Sequence, residues 1–345
     1  MTAINRQWLL RRWPRGLLHR DDLELTTGDT HVRPLKDGDI RVHNMLFRCA
    51  PTMRNWMAGP NRSLHHAMAL NAPVQGHTVG RVVESRNGRY PVGTRVYVRS
   101  IWGDYDIIDA EQSVPKLIPE GMSAVESVGK YGISSLTAYF GLLSIGQPRA
   151  GETLVVSGAA GSVGSLAAQI GKIRGCRVIG IAGGEQKRAW LIENCGVDAA
   201  IDYKAEDVDA ALEHHCPSGI DLFFDNVGGS ILQAAVDHMA KFGRIVLCGQ
   251  ISQYNSGGPA IGFTNVMRLV YGSIRMQGFS VTDFADDTPV ALRDIETWIA
   301  SGGLVVRVDV RHGFENLPET FNALFDGSNN GVLLVAADDD AYALA

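Results

Sequence analysis

Cysteine is scarce in this chain, and the five thiols at 49, 176, 195, 216 and 248 are scattered. No CxxC pair occurs, so neither a disulfide framework nor a four-cysteine zinc lobe is indicated. Also lacking is any apolar run near the roughly 18 residues of a membrane span. Arg11-Arg12 does not open an export signal, because Trp13-Pro14-Arg15-Gly16 interrupts the apolar stretch that should follow. Nor is positive charge in excess: 32 basic against 37 acidic side chains leave −5, which argues against a nucleic-acid or membrane-surface partner. Internal repeats and low-complexity tracts are missing as well. A cytoplasmic protein is the default expectation. The 345 residues, 45% hydrophobic and 20% charged, have ordinary globular composition and enough length for two cores.

What is present centres on residues 153–175, TLVVSGAAGSVGSLAAQIGKIRG. Leu154-Val155-Val156 suits a buried parallel strand. A glycine turn follows, and from Ser165 apolar residues recur with helical period. Strand, turn and helix together give meaning to the fingerprint Ala159-x-Gly161-x-x-Gly164, with Ala in place of the usual first Gly. Small residues let the backbone approach a pyrophosphate, and the helix N-terminus offers free N–H groups to it. A ligand-free glycine loop is the plainer alternative.

Residues 1 to about 125 carry short alternating runs, such as Asp39-Ile40-Arg41-Val42 and Thr78-Val79-Gly80-Arg81-Val82, which predict a mostly antiparallel β domain. From about 126 the texture changes. A helix is expected over 134–145, and strands at 177–181, 199–202, 221–225 and 243–248 alternate with helices at 185–195 and 230–241. That alternation predicts a doubly wound parallel sheet of Rossmann type. Strand-like runs at 305–312 and 331–336 return the chain to the first domain. The expected division is 1–125 with 301–345, and 126–300. The acidic tail Asp338-Asp339-Asp340 reads as a frayed terminus.

The order of these pieces, and motifs along nearly the whole chain, resemble the zinc-independent medium-chain dehydrogenase/reductases. The branch is that of leukotriene dehydrogenases, prostaglandin reductases, alkenal double-bond reductases and bacterial curcumin reductases. The likeness rests on Asn5-Arg6-Gln7-Trp8-Leu9, Met53-Arg54, Gly80-Arg81-Val82-Val83-Glu84-Ser85, and Leu136-Thr137-Ala138-Tyr139-Phe140-Gly141-Leu142. It continues through the fingerprint, Asp225-Asn226-Val227-Gly228-Gly229, Ser252-Gln253-Tyr254-Asn255 and Gly327-Ser328-Asn329-Asn330-Gly331. The resemblance implies a GroES-like β domain beside the Rossmann domain, and NADPH-dependent reduction of the C=C bond of α,β-unsaturated aldehydes or ketones. It implies that Gly161, Ser162, Val163 and Gly164 hold the pyrophosphate. Lys187 and Tyr203 would face the 2′-phosphate, and Asn226 the adenosine side. Cys248, Gly249, Gln250, Ile251, Ser252, Gln253 and Tyr254, together with Phe279, Ser280 and Val281, would line the nicotinamide half, with Asn329 reaching in. Relatives commonly join two sheets edge to edge, so residues 272–281, read as the last strand, point to a homodimer.

Three departures bear on substrate choice. Ala50-Pro51-Thr52-Met53-Arg54 stands where the family usually has Asp-Pro-Tyr-Met-Arg. Val332 replaces a lysine, and residues 130–135 are less glycine-rich than usual.

An NAD enzyme wants an acid at the end of the second strand. Here that strand runs into Ala182-Gly183-Gly184, with Glu185 as the nearest acid and Lys187 offering the cation that a 2′-phosphate needs. Zinc chemistry is suggested by Gly76-His77 and Cys49. Thr78, however, replaces the expected glutamate, and 130–133 supplies no third ligand. His65-His66 and His214-His215 are adjacent pairs and are read as surface. Tyr254 is the catalytic candidate, as a phenol donor to an enolate; packing against the cofactor is its alternative. A quinone reductase and a non-catalytic NADPH-binding protein remain as rival functions.

Overall fold

A computed structural model describes residues 4–29, 33–60, 67–256 and 262–337. His65-His66 and Asp338-Asp339-Asp340 lie outside the described residues. The chain forms two compact units, one of residues 1–128, 309–328 and 333–345, the other of 129–308 and 329–332. Against the expected division, residues 301–308 and 329–332 therefore go with the nucleotide-type unit.

That unit is built on six parallel strands. In sequence order they are Thr153–Ser157, Arg177–Ala182, Ala199–Asp202, Ile220–Asp225, Met239–Leu247 and Arg275–Gly278. In space they run third, second, first, fourth, fifth, sixth. Alternation within each strand divides the side chains between two apolar layers. Leu154, Val156, Leu222 and Phe224 belong to the layer with the helices Ile133–Phe140, Gly164–Ile173 and Thr288–Ala300. Val155, Ile179, Ile181 and Phe223 belong to the other, with Val208–His215 and Gly229–Asp237. Fully burying a side chain such as Phe223 or Phe224 contributes about 1.5–3 kcal/mol.

Two local expectations are corrected. The helix predicted over 230–241 stops at Asp237, and the fifth strand already begins at Met239. It does so with Phe242 at φ 65° and a register shift between Ile220 and Leu222, an irregularity that hides the strand's start from a periodicity count. The helix over 134–145 is α-helical only to Phe140, and Gly141–Gly146 continues it as a π-helical turn. A Cβ on Gly141 would lie 2.5 Å from Phe279 Cζ, so glycine admits the Phe279 ring there.

The other unit is mostly antiparallel. Its larger sheet includes Asp39–Cys49, Gln75–Ser85, Arg95–Ile101 and the returning strands Val308–His312 and Val332–Ala336. Trp8, Phe47, Met53, Trp102, Phe314 and Phe321 fill its core. Trp8 Nε1 donates to Phe314 O at 3.2 Å, tying the N-terminal strand Ile4–Leu10 to the returning segment. Arg54, 3% exposed, donates to Gly16 O at 3.1 Å and Pro14 O at 2.8 Å, which gives the Met53-Arg54 motif a structural role.

Candidate functional site

In a doubly wound sheet the crevice opens at the carboxyl ends of the strands, where their order reverses. Here that point lies between the first strand, ending at Ser157, and the fourth, ending at Asp225. Ser157 Oγ donates to Asp225 Oδ1 at 2.7 Å, and Asn226 N donates to Ser157 Oγ at 2.8 Å. Asn226 Nδ2 reaches Ser157 O at 2.7 Å. The Asp225 carboxylate also receives the N–H groups of Val227 and Gly228, each at 3.0 Å to Oδ1. Burial raises the Asp225 pKa, and these donors oppose that rise. An acid closing a run as apolar as Leu222-Phe223-Phe224 was the sequence signal for this organising role.

The Asp225 carbonyl accepts from Cys248 N at 2.8 Å and Gly249 N at 3.0 Å. Ile251 N and Ser252 N, each at 3.2 Å, bond Asn226 O and Val227 O. Residues 248–254 are thereby hung from the 225–227 turn, and Tyr254 folds back onto its own loop, its phenol oxygen accepting from Gln250 N at 3.4 Å. Enclosure pushes the Cys248 thiol up to about 12, so no thiolate stands in this loop at neutral pH. Asp225 pairs with Leu247, and Leu247 with Gly278, which sets Phe279, Ser280 and Val281 beyond the same sheet edge. The Phe279 ring is spent on Gly141, leaving backbone and Ser280 at that edge.

The fingerprint loop fits a pyrophosphate. A Cβ on Gly164 would lie 2.3 Å from Gly158 O, so only glycine allows the helix to start so close to the turn. No side chain caps the helix beginning at Gly164, although Ser165 N already donates to Gly161 O at 3.1 Å, so a ligand would be met by the N–H groups of the turn ahead of it. The left-handed residue of the turn is Gly158, at φ 57°, one place before the expected position; Ala159 is fully buried. Gly161 bridges Gly331, which brings the segment carrying Asn329 to the loop. Asn329 Nδ2 donates to Gly331 O at 3.3 Å.

At the end of the second strand, Lys187 lies in the first turn of the helix Glu185–Cys195, and Tyr203 is 45% exposed. A Cβ on Gly183 would lie 2.7 Å from Tyr203 Cε1, so the phenol ring covers this glycine turn. Lys204, absent from the sequence-based set, covers it too.

Cys49 and His77 are not a metal pair. Arg48 pairs with His77 across the sheet, so Cys49, one residue on, faces the opposite side with Phe47 and the core. His77 stacks on Tyr97 at 5.6 Å, and burial with Arg48, Arg99 and Lys116 nearby lowers its pKa to about 3. Thr78 donates to Asn44 Oδ1 at 2.7 Å, a wholly internal bond. Among the described residues no group of three or more His, Cys, Asp or Glu is arranged to hold a metal.

A parallel sheet in this order, with an uncapped glycine turn at its switch point and an antiparallel companion unit, defines a dinucleotide-dependent dehydrogenase or reductase. Residues 6–115 match the N-terminal domain of oxidoreductase family, and residues 162–297 match the zinc-binding dehydrogenase family. The chain is 36% identical to prostaglandin reductase 1 of Bos taurus over 336 residues, covering 96% of this chain and 99% of that protein. It is 35% identical to the 2-alkenal reductase (NADP(+)-dependent) of Nicotiana tabacum, covering 96% and 97% of the two chains. The crystal structure of CurA in complex with NADPH from Vibrio vulnificus superposes with a TM-score of 0.90 at 35% identity, covering 97% and 99%. The chain belongs to the zinc-independent medium-chain dehydrogenase/reductases of the prostaglandin, alkenal and curcumin reductase group.

Proposed function

We propose that this protein reduces the C=C bond of α,β-unsaturated aldehydes or ketones. It is an NADPH-dependent oxidoreductase. The observation that carries the finer reading is the Tyr254 loop, suspended by backbone hydrogen bonds from the switch point between the first and fourth strands of the parallel sheet. Gly161, Ser162, Val163 and Gly164 would hold the pyrophosphate, Lys187 and Tyr203 the 2′-phosphate, and Asn226 the adenosine side. Residues 248–254, residues 279–281 and Asn329 would line the rest. Bound NADPH supplies the hydride that adds to the β-carbon. Negative charge then develops on the carbonyl oxygen, and the Tyr254 hydroxyl donates to it.

A panel of 2-alkenals, enones and quinones with NADPH tests the activity. Consumption of NADPH with saturated carbonyl product supports the reading, while turnover of quinones alone, or of nothing, overturns it. Tyr254→Phe keeps the ring and removes only the hydroxyl. Turnover should fall by roughly tenfold or more while NADPH affinity holds, less than the ~10²–10³ of a dry oxyanion-hole donor. Unchanged turnover would reduce Tyr254 to a packing residue.

A further inference from the structure

The turn Gly183-Gly184 is closed by three neighbours, of which the sequence drew attention to one. A Cβ on Gly183 would meet Tyr203 Cε1 at 2.7 Å and Lys204 Cε at 3.0 Å. Phenol ring and lysine arm therefore both lie over the end of the second strand, where an NAD enzyme would carry an acid for the ribose hydroxyl. The placement is enforced by Asp202. Its Oδ1 accepts from Gly184 N at 2.8 Å and from Lys204 N at 3.0 Å, locking the two turns together. Asp202 is 6% exposed and held below the usual carboxylate range, chiefly by the Gly184 N–H bond. Its hydrogen bonds from Gly184 and Lys204 are to backbone N–H groups, with the charges of Arg188 and Lys204 adding to them.

The other charges at this turn are on the helix Glu185–Cys195, where Arg188 faces Glu185 at 3.4 Å and Lys187 lies between them. Glu206, further along, accepts from Asp202 N at 2.6 Å. Among the described residues Lys204 makes no ion pair within 4 Å, though its charge acts on Asp202, and the residue is exposed, next in sequence to Tyr203. An exposed cation held over a glycine turn by its own stem is suited to a phosphate dianion and offers nothing to a 2′-hydroxyl.

We propose that Lys204 is a second cation for the adenosine 2′-phosphate, acting with Lys187 and Tyr203 to select NADPH over NADH. The inference rests on the NADPH reading above and adds to it a specificity-determining residue.

The test is cofactor binding without carbonyl substrate, by titrating protein fluorescence with NADPH and with NADH. Lys204→Met retains the arm over Gly183 and removes the charge. Its NADPH dissociation constant should rise roughly tenfold or more, as for loss of a charge-assisted hydrogen bond, with that for NADH unchanged. Lys204→Arg should stay near the parent, and adding Lys187→Gln should weaken NADPH further. The proposal is overturned if Lys204→Met leaves NADPH affinity unchanged. It is equally overturned if both cofactors weaken alike, which would mark a packing role. A parent that binds the two cofactors equally would sink the NADPH reading itself, whereas a parent preferring NADPH with an inert Lys204 sinks only this inference.

Discussion

Gly164 is the residue on which the nucleotide turn depends most directly. Its missing Cβ leaves room for Gly158 O, which would otherwise stand 2.3 Å away, with Gly158 C at 2.8 Å and Ala159 Cα at 2.9 Å. All three are backbone atoms that cannot swing aside. Gly164→Ala should therefore cost about 1–3 kcal/mol of stability, as overpacking does, and weaken NADPH binding along with it. Thermal melting and a binding titration check this; an unshifted melt with parental affinity would refute it. The need for glycine at 164 was legible from spacing, whereas at 161 a Cβ would make one 3.2 Å contact, with Gly158 O. That Gly158, at φ 57°, turns the chain while Ala159 fills the core was not legible, because both residues fit the same pattern. Lys204 escaped notice because a lysine after a strand is ordinarily solvated, and only the three-dimensional turn shows what it lies over.

Among the elements, the parallel strands were the most legible, since short apolar runs bounded by glycine and acid admit few other structures. The fifth strand was blurred at its start by the irregularity at Phe242. Cross-strand neighbours were invisible, and they decide what His77 does. Between Tyr97 and Trp56, with Arg99 directly opposite in the next strand, the imidazole stays neutral in the folded chain. Its folded pKa near 3 lies below the ordinary 6.5, so the unfolded chain binds the extra proton between those values. Stability is therefore lost as pH falls from about 6.5 toward about 3, and the loss is absent above 6.5. His77→Gln should flatten this limb, recovering up to ~2 kcal/mol at pH 4.5 relative to pH 7.5. Melting curves at the two values measure it, and parallel acid losses in parent and variant would refute the assignment.

For the whole molecule, the sixth strand Arg275–Gly278 is an edge of its sheet. Beside it in sequence the helix Val266–Gly272 leaves Val266, Met267, Val270 and Tyr271 exposed, at 55%, 49%, 60% and 78%. An open edge next to apolar side chains favours pairing with a second copy, and we propose a homodimer through this region. Light scattering at micromolar concentration should give twice the chain mass, and Tyr271→Glu should shift the population toward monomer. A monomeric parent would count against the pairing. The break between the two units after residue 128 falls near the change of texture at about 126. The brief excursion at 329–332 leaves no such mark, because four residues carry no periodicity of their own.

That excursion limits how the protein can be recombined. The chain leaves the nucleotide unit after 308, and four residues come back at 329–332, where Gly331 bridges Gly161 and Val332 N bonds Arg307 O at 2.9 Å. A chimaera that transplants only 129–308 from a relative would keep the host's strap across the donor's phosphate loop. A faithful graft has to be cut at both places.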